Sequence, residues 1–414
     1  KGNESLNVCI EKKSIGKILT KNNLFQALDI YNNFLGNYKR EKQAIYAVIA
    51  NYNLKKIFVE LTSIDATSGY EKPVADYIQN FVKNLGLESY VDEASEFSKG
   101  NTGNVVVPIM GGGEYFIASH MDTPRSTKNL KHQFLNDRIT SDGTTPLGVD
   151  DRGGLSSILC ALERAVKNNT LKPCTLLFTV CEETTLAGST YFKAPENIKY
   201  GFVFDSYMSP GCFVSQTCGL IEFHFKIRGK SAHAGISPEK GVNAIALAAK
   251  AMTTFPFGRL DSMNTANIGK INAGTATNVV CDEVTMVGEL RSDTKEHGEQ
   301  RIKEIIDNFT KICQDGGGSF EYEYFWDFTP YHIHKDDKPY RHFANIAESV
   351  GLKATPMPSM GGSDANAFNN KGIRTINIGV GAQNPHGNDE FILYKDFTND
   401  VEIAYGLLTK HLND

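Results

Sequence analysis

The chain has 414 residues, a formal net charge of -5, 41% hydrophobic residues and 22% charged residues. This composition is typical of a soluble globular protein, and the length exceeds what one hydrophobic core usually serves, so we expect two domains. The chain has no basic tract that would bind nucleic acid, and no apolar run reaches the ~18 residues that a membrane helix needs. We therefore expect neither nucleic acid nor membrane as a partner.

The first 50 residues are predicted to form a separate helical extension, because Leu24, Leu28, Tyr31 and Leu35 recur at helical spacing. The stretch over residues 1–13 is polar and lacks the apolar core of a signal peptide. The eight cysteines are scattered and form no CxxC pair, which favours buried free thiols in a reducing compartment. We expect a cytoplasmic protein.

From about residue 54 the pattern alternates between helices and strands. In chain order the predicted elements are a helix over 74–85, a strand over 114–119, a helix over 155–166, strands over 175–180 and 201–204, and a late strand over 375–380. Several of these strands are almost wholly apolar, as expected for strands that are covered on both faces. The alternation predicts an α/β domain with a doubly wound, mostly parallel sheet.

The pattern changes after about residue 219, where apolar and polar residues alternate as on a sheet with one solvated face. The predicted elements that follow are a helix over 242–252, a strand pair within 278–290, a helix over 299–313 and a strand over 319–325. We therefore expect a smaller α+β domain inserted into the larger one. The predicted parts are the extension (1–50), the larger domain (51–218 and 332–414) and the inserted domain (219–331).

Acidic and histidine side chains stand at the ends of several predicted strands. They are His120 with Asp122, Asp150 with Asp151, Glu182 with Glu183, Asp205, and His386. Because open α/β sheets place their ligands at the carboxyl ends of the strands, we expect these side chains to converge. Imidazoles and carboxylates together favour two divalent metal ions, most readily Zn²⁺, with Co²⁺ or Mn²⁺ as alternatives.

Each motif alone also has a purely structural explanation. Asp150 and Asp151 precede a predicted helix, where an acidic residue caps the helix and stabilises its dipole. Asp205 could be an ordinary turn residue and His386 an exposed loop residue. The metal site is favoured by the combination, because packing alone does not require acids and imidazoles at the ends of at least four predicted strands.

The order of these motifs resembles the M20 family of metallopeptidases, and in particular its peptidase T-like group. Further segments support the resemblance. Gly229–Gly235 is similar to the family's lid-domain histidine segment, Gly274–Val280 and Arg291–Asp293 to its substrate-facing segments, and Gly361–Ala365 to its Gly-rich substrate loop. The resemblance covers the chain from about Leu54 to the C-terminus.

The resemblance implies which residues bind metal. His120, Asp150 and Asp205 would hold one ion, and Asp150, Glu183 and His386 would hold the other. The family often has a cis peptide bond between its two adjacent aspartates. Some members dimerise through the inserted lid domain, so a homodimer is one expectation for this chain.

The resemblance also implies catalytic and substrate-binding roles. Asp122 would orient His120, Glu182 would be the general base, and His233 of the lid would stabilise the oxyanion after closure of the lid. The residues that would contact the substrate are Asn278, Arg291, Gly362 and Ser363.

The leading hypothesis is a dinuclear-metal exopeptidase that removes N-terminal residues from short peptides. One alternative is an M20 amidohydrolase that acts on dipeptides, C-terminal residues or N-acyl amino acids. An alternative of another class is a non-catalytic metal-binding or scaffolding protein that docks through residues 1–50.

Overall fold

The computed structural model describes residues 53–412, so the helical extension predicted over residues 1–50 lies outside the described part of the chain. The strands are β1 (Tyr90–Val91), β2 (Val105–Ile109), β3 (Tyr115–His120), β4 (His132–Phe134), β5 (Arg138–Ser141), β6 (Cys174–Thr179), β7 (Tyr200–Ser206), β8 (Cys212–Thr217), β9 (Gly219–Arg228), β10 (Gly258–Arg259), β11 (Thr265–Ala273), β12 (Glu283–Ser292), β13 (Ser319–Phe328), β14 (Tyr331–His332), β15 (Thr355–Ser359), β16 (Arg374–Gly379), β17 (Ala382–Gln383) and β18 (Phe391–Leu393).

The helices begin with α1 (53–62). Those that follow are α2 (Lys72–Asn84), α3 (Ser95–Ser98), α4 (Val149–Lys167), α5 (Glu182–Thr185), α6 (Ala187–Tyr191), α7 (Ala244–Thr254), α8 (Lys295–Asp315), α9 (Lys338–Ser349), α10 (Asp364–Asn370) and α11 (Tyr394–Thr409).

The central sheet has nine strands in the order β1-β2-β6-β3-β7-β16-β8-β14, with β15 paired to β8. Its middle strands β6, β3, β7 and β16 run parallel to one another. Every residue of β3 and β6 is buried, as the apolar character of these strands predicts for a sheet that is covered on both faces. Helices α4 and α11 pack against each other beside this sheet. The mostly parallel α/β fold predicted from the sequence is confirmed.

A second sheet forms the inserted domain, with the antiparallel order β10-β11-β12-β9-β13. Helices α7 and α8 cover one face of this sheet, and the domain has its own hydrophobic core around Phe223, Phe225 and Phe309. The insertion starts where β8 ends and finishes where β14 begins, with Tyr331 paired to Thr217. The predicted inserted α+β domain is confirmed, and its bounding residues stay predictions.

The strand pair predicted within residues 278–290 was partly wrong. The paired strands are β11 and β12, and the segment between residues 274 and 282 is a connection. Strand β11 buries only Ala266 along its length, so its sequence lacks the alternation of apolar residues that signals a half-buried strand.

A third sheet of four short strands, in the order β17-β18-β5-β4, was not predicted. Its strands have two to four residues each, which is too short for a periodic signal in the sequence. The loop between β17 and β18 carries His386.

The described residues bear on two expectations from composition. Between residues 53 and 412 the chain has seven cysteines, which form no disulfide with one another, and six of them are buried. Each helix between residues 53 and 412 is too short or too polar to pass through a bilayer.

Strand order brings the motifs to one place. Strands β6, β3 and β7 are adjacent and parallel, so their carboxyl ends lie side by side. His120 is the last residue of β3, Glu182 follows β6 after a short turn, and Asp205 lies near the end of β7. The sheet therefore presents these three side chains at a common edge.

Candidate metal centre

Six of the predicted side chains meet at this edge of the central sheet: His120, Asp150, Glu182, Glu183, Asp205 and His386. Asp150 stands between the two imidazoles. Its Oδ1 lies 3.0 Å from Nε2 of His120, and its Oδ2 lies 3.1 Å from Nε2 of His386. Residues that are up to 266 positions apart thus form one cluster (386 − 120).

The cluster contains two sets of donor atoms that share Asp150. One set is His120, Asp150 and Asp205, and the other is Asp150, Glu183 and His386, with the donor atoms of each set within 4.8 Å of one another. A third group joins His120 to Glu182 and Glu183. A carboxylate common to two donor sets can bridge two cations, because each of its oxygens is directed to a different set.

Asp122 is fully buried and holds several parts of the cluster in place. Its carboxylate accepts hydrogen bonds from the backbone amides of Glu182 and Glu183, both at 3.2 Å, and from Oγ of Ser68 at 2.6 Å. It also lies 3.3 Å from Nδ1 of His120. One carboxylate therefore fixes the start of α5, which carries both glutamates, and orients the imidazole on the neighbouring strand.

Glu390 supports the other side of the cluster and is also buried. Its carboxylate accepts from the amides of Gly148 and Asp150 at 2.6 and 3.0 Å.

The peptide bond between Asp150 and Asp151 is cis, as the family resemblance implied. Asp151 belongs to none of the donor sets, and its carboxylate accepts from the backbone amide of His120.

The acidic groups are held in an environment that disfavours their charges. Burial, followed by the nearby charge of Asp205, raises the pKa of Glu182 well above its ordinary value. Burial and the charge of Asp150 raise the pKa of Glu183 to about 8. Burial also raises the pKa of Asp150, but hydrogen bonds with His120 and His386 outweigh it and leave that pKa at about 2.

These observations fit a pair of divalent cations. Four carboxylates and two imidazoles converge, and Oε1 of Glu183 is buried with no hydrogen-bond partner among the described residues. Buried carboxylates require compensating charge, which the protein side chains at this edge do not supply in full. Two divalent ions would carry four positive charges, which balance the four carboxylates, and oxygen and nitrogen donors in this mixture suit zinc.

The predicted lid residues lie apart from the cluster. Within residues 53–412, His233 makes no hydrogen bond or ion pair with the six clustered side chains, and it pairs with Val279, next to Asn278, in the inserted domain. Nδ1 of His233 accepts from the amides of Gly235 and Ile236 at 3.1 and 3.2 Å. A neutral ring therefore carries its proton on Nε2.

The other predicted substrate contacts sit where the inserted domain meets the large domain. Nη1 of Arg291 donates to the carbonyl of Met360 at 2.7 Å, and its Nε lies 3.0 Å from Oε1 of Glu289. Gly362 packs against the ring of Phe328. Ser363 is buried at the start of α10. Their roles towards substrate stay predictions.

Sequence reasoning missed three residues that hold the cluster in place, namely Ser68, Glu390 and Asn377, whose Nδ2 donates to Oδ2 of Asp205 at 3.3 Å. Glu390 had a detectable signal, because it is an acid four residues after His386. Asn377 was also detectable as a polar residue within an apolar strand. Ser68 had none, since it lies far from Asp122 in the sequence.

Residues 216–317 match the sequence profile of the peptidase dimerisation domain of M20 proteins. An aminopeptidase PepT from Bacillus cereus has 32% identity and a TM-score of 0.79, covering 87% of this chain and 98% of that one. A tripeptidase from Staphylococcus aureus has 30% identity and a TM-score of 0.81, with coverage of 88% and 99%. The chain belongs to the M20 peptidases, in their peptidase T-like group.

A relative in Bacillus subtilis, the uncharacterised protein YqjE, is 30% identical over 357 residues, which are 85% of this chain and 96% of the relative. Residues 1–55 match a different profile, that of a protein family of unknown function. The similarity to M20 proteins therefore does not extend over the whole chain, and residues 1–55 are similar to a different family.

We predict that Glu390→Ala weakens metal binding by about 10- to 100-fold, as expected when a group that orients a metal-binding residue is removed. The change leaves the amides of Gly148 and Asp150 without their acceptor and releases the shared carboxylate. The dissociation constant for Zn²⁺ is to be measured by competition with a chromophoric chelator. Asp389→Ala is the control, because Asp389 is exposed and, within residues 53–412, accepts a hydrogen bond only from Asn384. Equal affinities in both variants would contradict the prediction.

Proposed function

We propose that this chain is a metal-dependent exopeptidase that hydrolyses the N-terminal peptide bond of short peptides. The observation that carries the proposal is the pair of donor sets sharing Asp150, at the carboxyl ends of adjacent parallel strands. The B. cereus relative is an aminopeptidase and the S. aureus relative a tripeptidase, which supports an N-terminal cleavage site and a short substrate.

The residues that would hold the two ions are His120, Asp150 and Asp205 for one, and Asp150, Glu183 and His386 for the other. When bound, two divalent ions lower the pKa of water and polarise the substrate carbonyl. Zinc is our proposal for both positions, with cobalt or manganese as alternatives.

Glu182 is the proposed general base. Its amide is held by Asp122, and its Oε2 lies 3.9 Å from Nε2 of His120, so the carboxylate is fixed beside the donor sets. Burial raises the pKa of this carboxyl, which makes it a stronger proton acceptor than an exposed glutamate. Glu182 takes a proton from the attacking water and delivers it to the leaving amine.

His233 is the proposed oxyanion donor. Because the amides of Gly235 and Ile236 occupy Nδ1, the free Nε2–H of the neutral ring is available to donate to a developing negative charge. His233 lies on the inserted domain, so this role requires that domain to close over the substrate. Asn278, Arg291, Gly362 and Ser363 are the proposed substrate contacts.

We expect Glu182→Gln to lower kcat for a tripeptide by about three orders of magnitude, within the range that loss of a general base gives. The amide preserves the shape of the side chain but cannot accept the proton. Metal content, measured by atomic absorption on the same preparation, should equal that of the wild type. Full activity in this variant, or a wild type that binds two ions and hydrolyses no amide, would overturn the proposed function.

The position of cleavage can be tested with trialanine and N-acetyl-trialanine. We expect the free peptide to be hydrolysed to alanine and dialanine, and the acetylated peptide to be resistant, as measured by chromatography of the products. Cleavage of the blocked peptide at its C-terminal bond, or of N-acetylalanine, would identify the chain as another type of M20 amidohydrolase.

We further propose a homodimer formed through the inserted domain, on the support of the dimerisation-domain match over residues 216–317. Strand β13 is an edge of the second sheet and exposes Tyr322 and Phe325; unpaired edges readily accept another strand. Sedimentation velocity should give about twice the chain mass of 45.7 kDa. A single species at the chain mass would contradict this proposal.

The described cysteines, which form no disulfide with one another and are mostly buried, support a cytoplasmic location for the enzyme, because oxidising compartments convert suitably placed cysteines to disulfides.

A further inference from the structure

The two connections to the inserted domain run side by side. They comprise residues 217–219 and residues 328–331, and we call them together the lid stem. Tyr331 pairs with Thr217 across the stem. The two halves are so close that a Cβ added to Gly219 would lie 2.5 Å from Cδ of Pro330. Any change in the orientation of the inserted domain must therefore pass through this narrow pair of segments.

One buried side chain joins both halves of the stem. The Nδ2 of Asn366, in α10, donates to Oγ1 of Thr217 at 2.7 Å and to the carbonyl of Thr329 at 2.9 Å. Its Oδ1 accepts from the amide of Ser363 at 3.1 Å. Asn366 is fully buried, so no water competes for these bonds. A single carboxamide thus ties the stem to the end of the Gly-rich loop.

The same loop contacts the inserted domain directly. Just before the loop, the carbonyl of Met360 accepts from Arg291, and the carbonyl of Ser359 accepts from the amide of Cys218 in the stem at 3.2 Å. A Cβ added to Gly362 would lie 2.4 Å from the ring of Phe328. The loop is therefore held by both the stem and strand β12.

On its other side the loop contacts strand β6, which leads to the metal centre. Asp364, in the loop and at the start of α10, is fully buried and accepts from Oγ1 of Thr179. Thr179 is the last residue of β6 and stands three positions before Glu182. Contacts therefore run continuously from the stem through Asn366 and the loop to the strand that leads to the two glutamates.

We infer that Asn366 is a positioning residue, which locks both halves of the lid stem to the Gly-rich loop and thereby sets the orientation of the inserted domain relative to the metal-binding strands. Asn366 acts through the stem and the loop, and it does not touch the metal-binding side chains. The kinetic part of its test rests on the proposed function, whereas the structural part does not.

The test compares Asn366→Ala with Asn369→Ala. Asn369 lies in the same helix, and its Nδ2 donates to the carbonyls of Ala365 and Thr375 at 2.8 and 2.7 Å, both within the large domain. Asn366→Ala removes three donated hydrogen bonds, the third being a 3.5 Å bond to the carbonyl of Cys218 in the stem, and Asn369→Ala removes two. Only the first change releases the stem. Hydrogen–deuterium exchange is followed by mass spectrometry on the full chain.

In Asn366→Ala we expect amide exchange in peptides that cover the stem to rise by about tenfold or more, because local opening becomes easier. The kcat for trialanine should fall by about tenfold, because small displacements of the groups that position a substrate slow the reaction. The metal content should equal that of the wild type. In Asn369→Ala, stem exchange and kcat should stay within about twofold of the wild type. Equal stem exchange in the two variants would overturn the inference.

Two substitutions of Thr217 provide a milder test. This test remains informative even if Asn366→Ala does not fold. Thr217→Val removes the hydroxyl that accepts from Asn366, and Thr217→Ser keeps it. We expect stem exchange to rise several-fold in the valine variant and to remain near the wild-type rate in the serine variant. A valine variant that behaves like the serine variant would also overturn the inference. The hydrogen–deuterium exchange result tests the role of Asn366 whether or not the protein hydrolyses a peptide.

Discussion

Repulsion among buried carboxylates is the constraint on which the rest of this structure depends. Four acids converge at one edge of the sheet, and burial raises the pKa of Glu182, Glu183 and Asp205. A flexible chain would move such groups apart or protonate them. They stay together because each lies on a rigid strand end or helix start whose backbone is fixed by hydrogen bonds elsewhere.

A buried arginine compensates the acids that support the cluster. Arg152 is fully buried, and its guanidinium has no hydrogen-bond partner among the described residues. Burial lowers its pKa to about 10, while the charges of Asp122 and Asp151 act in the opposite direction. At neutral pH this cation balances the carboxylates of Asp122 and Asp151, which hold the backbone around the cluster. The clustered acids themselves are offset in part by the imidazoles of His120 and His386, and divalent cations at the strand ends would supply the remaining positive charge.

The sequence predicted the site best where a polar motif follows an apolar strand, because the geometry of the sheet then determines where that motif lies. The apolar runs that became β3, β6 and β7 end at His120, near Glu182 and at Asp205, and parallel strands necessarily bring their carboxyl ends together. His386 was harder to derive from periodicity, since it lies on a loop between strands of two and three residues. Its position after the last long strand placed it among the side chains expected to converge, and the resemblance assigned it to one of the two metal ions.

Interactions between distant segments could not be predicted in this way. Ser68 reaches Asp122 because the neighbouring Thr67 pairs with Thr123, just after β3, and no local signal marks that contact. Strand β11 was missed because its residues are mostly exposed and polar. Asn366 resembles any asparagine near a helix start, and its link to Thr217 and Thr329 becomes visible only when the two connections are seen side by side.

The adjacency of Thr217 and Tyr331 has a consequence for how such a protein can diversify. The host sheet is interrupted only between two neighbouring, antiparallel strand ends, away from β3, β6 and β7. Domain insertion is tolerated where entry and exit lie close together. The inserted module can therefore be exchanged, enlarged or reshaped during evolution while the ion-binding scaffold is inherited intact, so that substrate range and subunit assembly can change without rebuilding the hydrolytic apparatus.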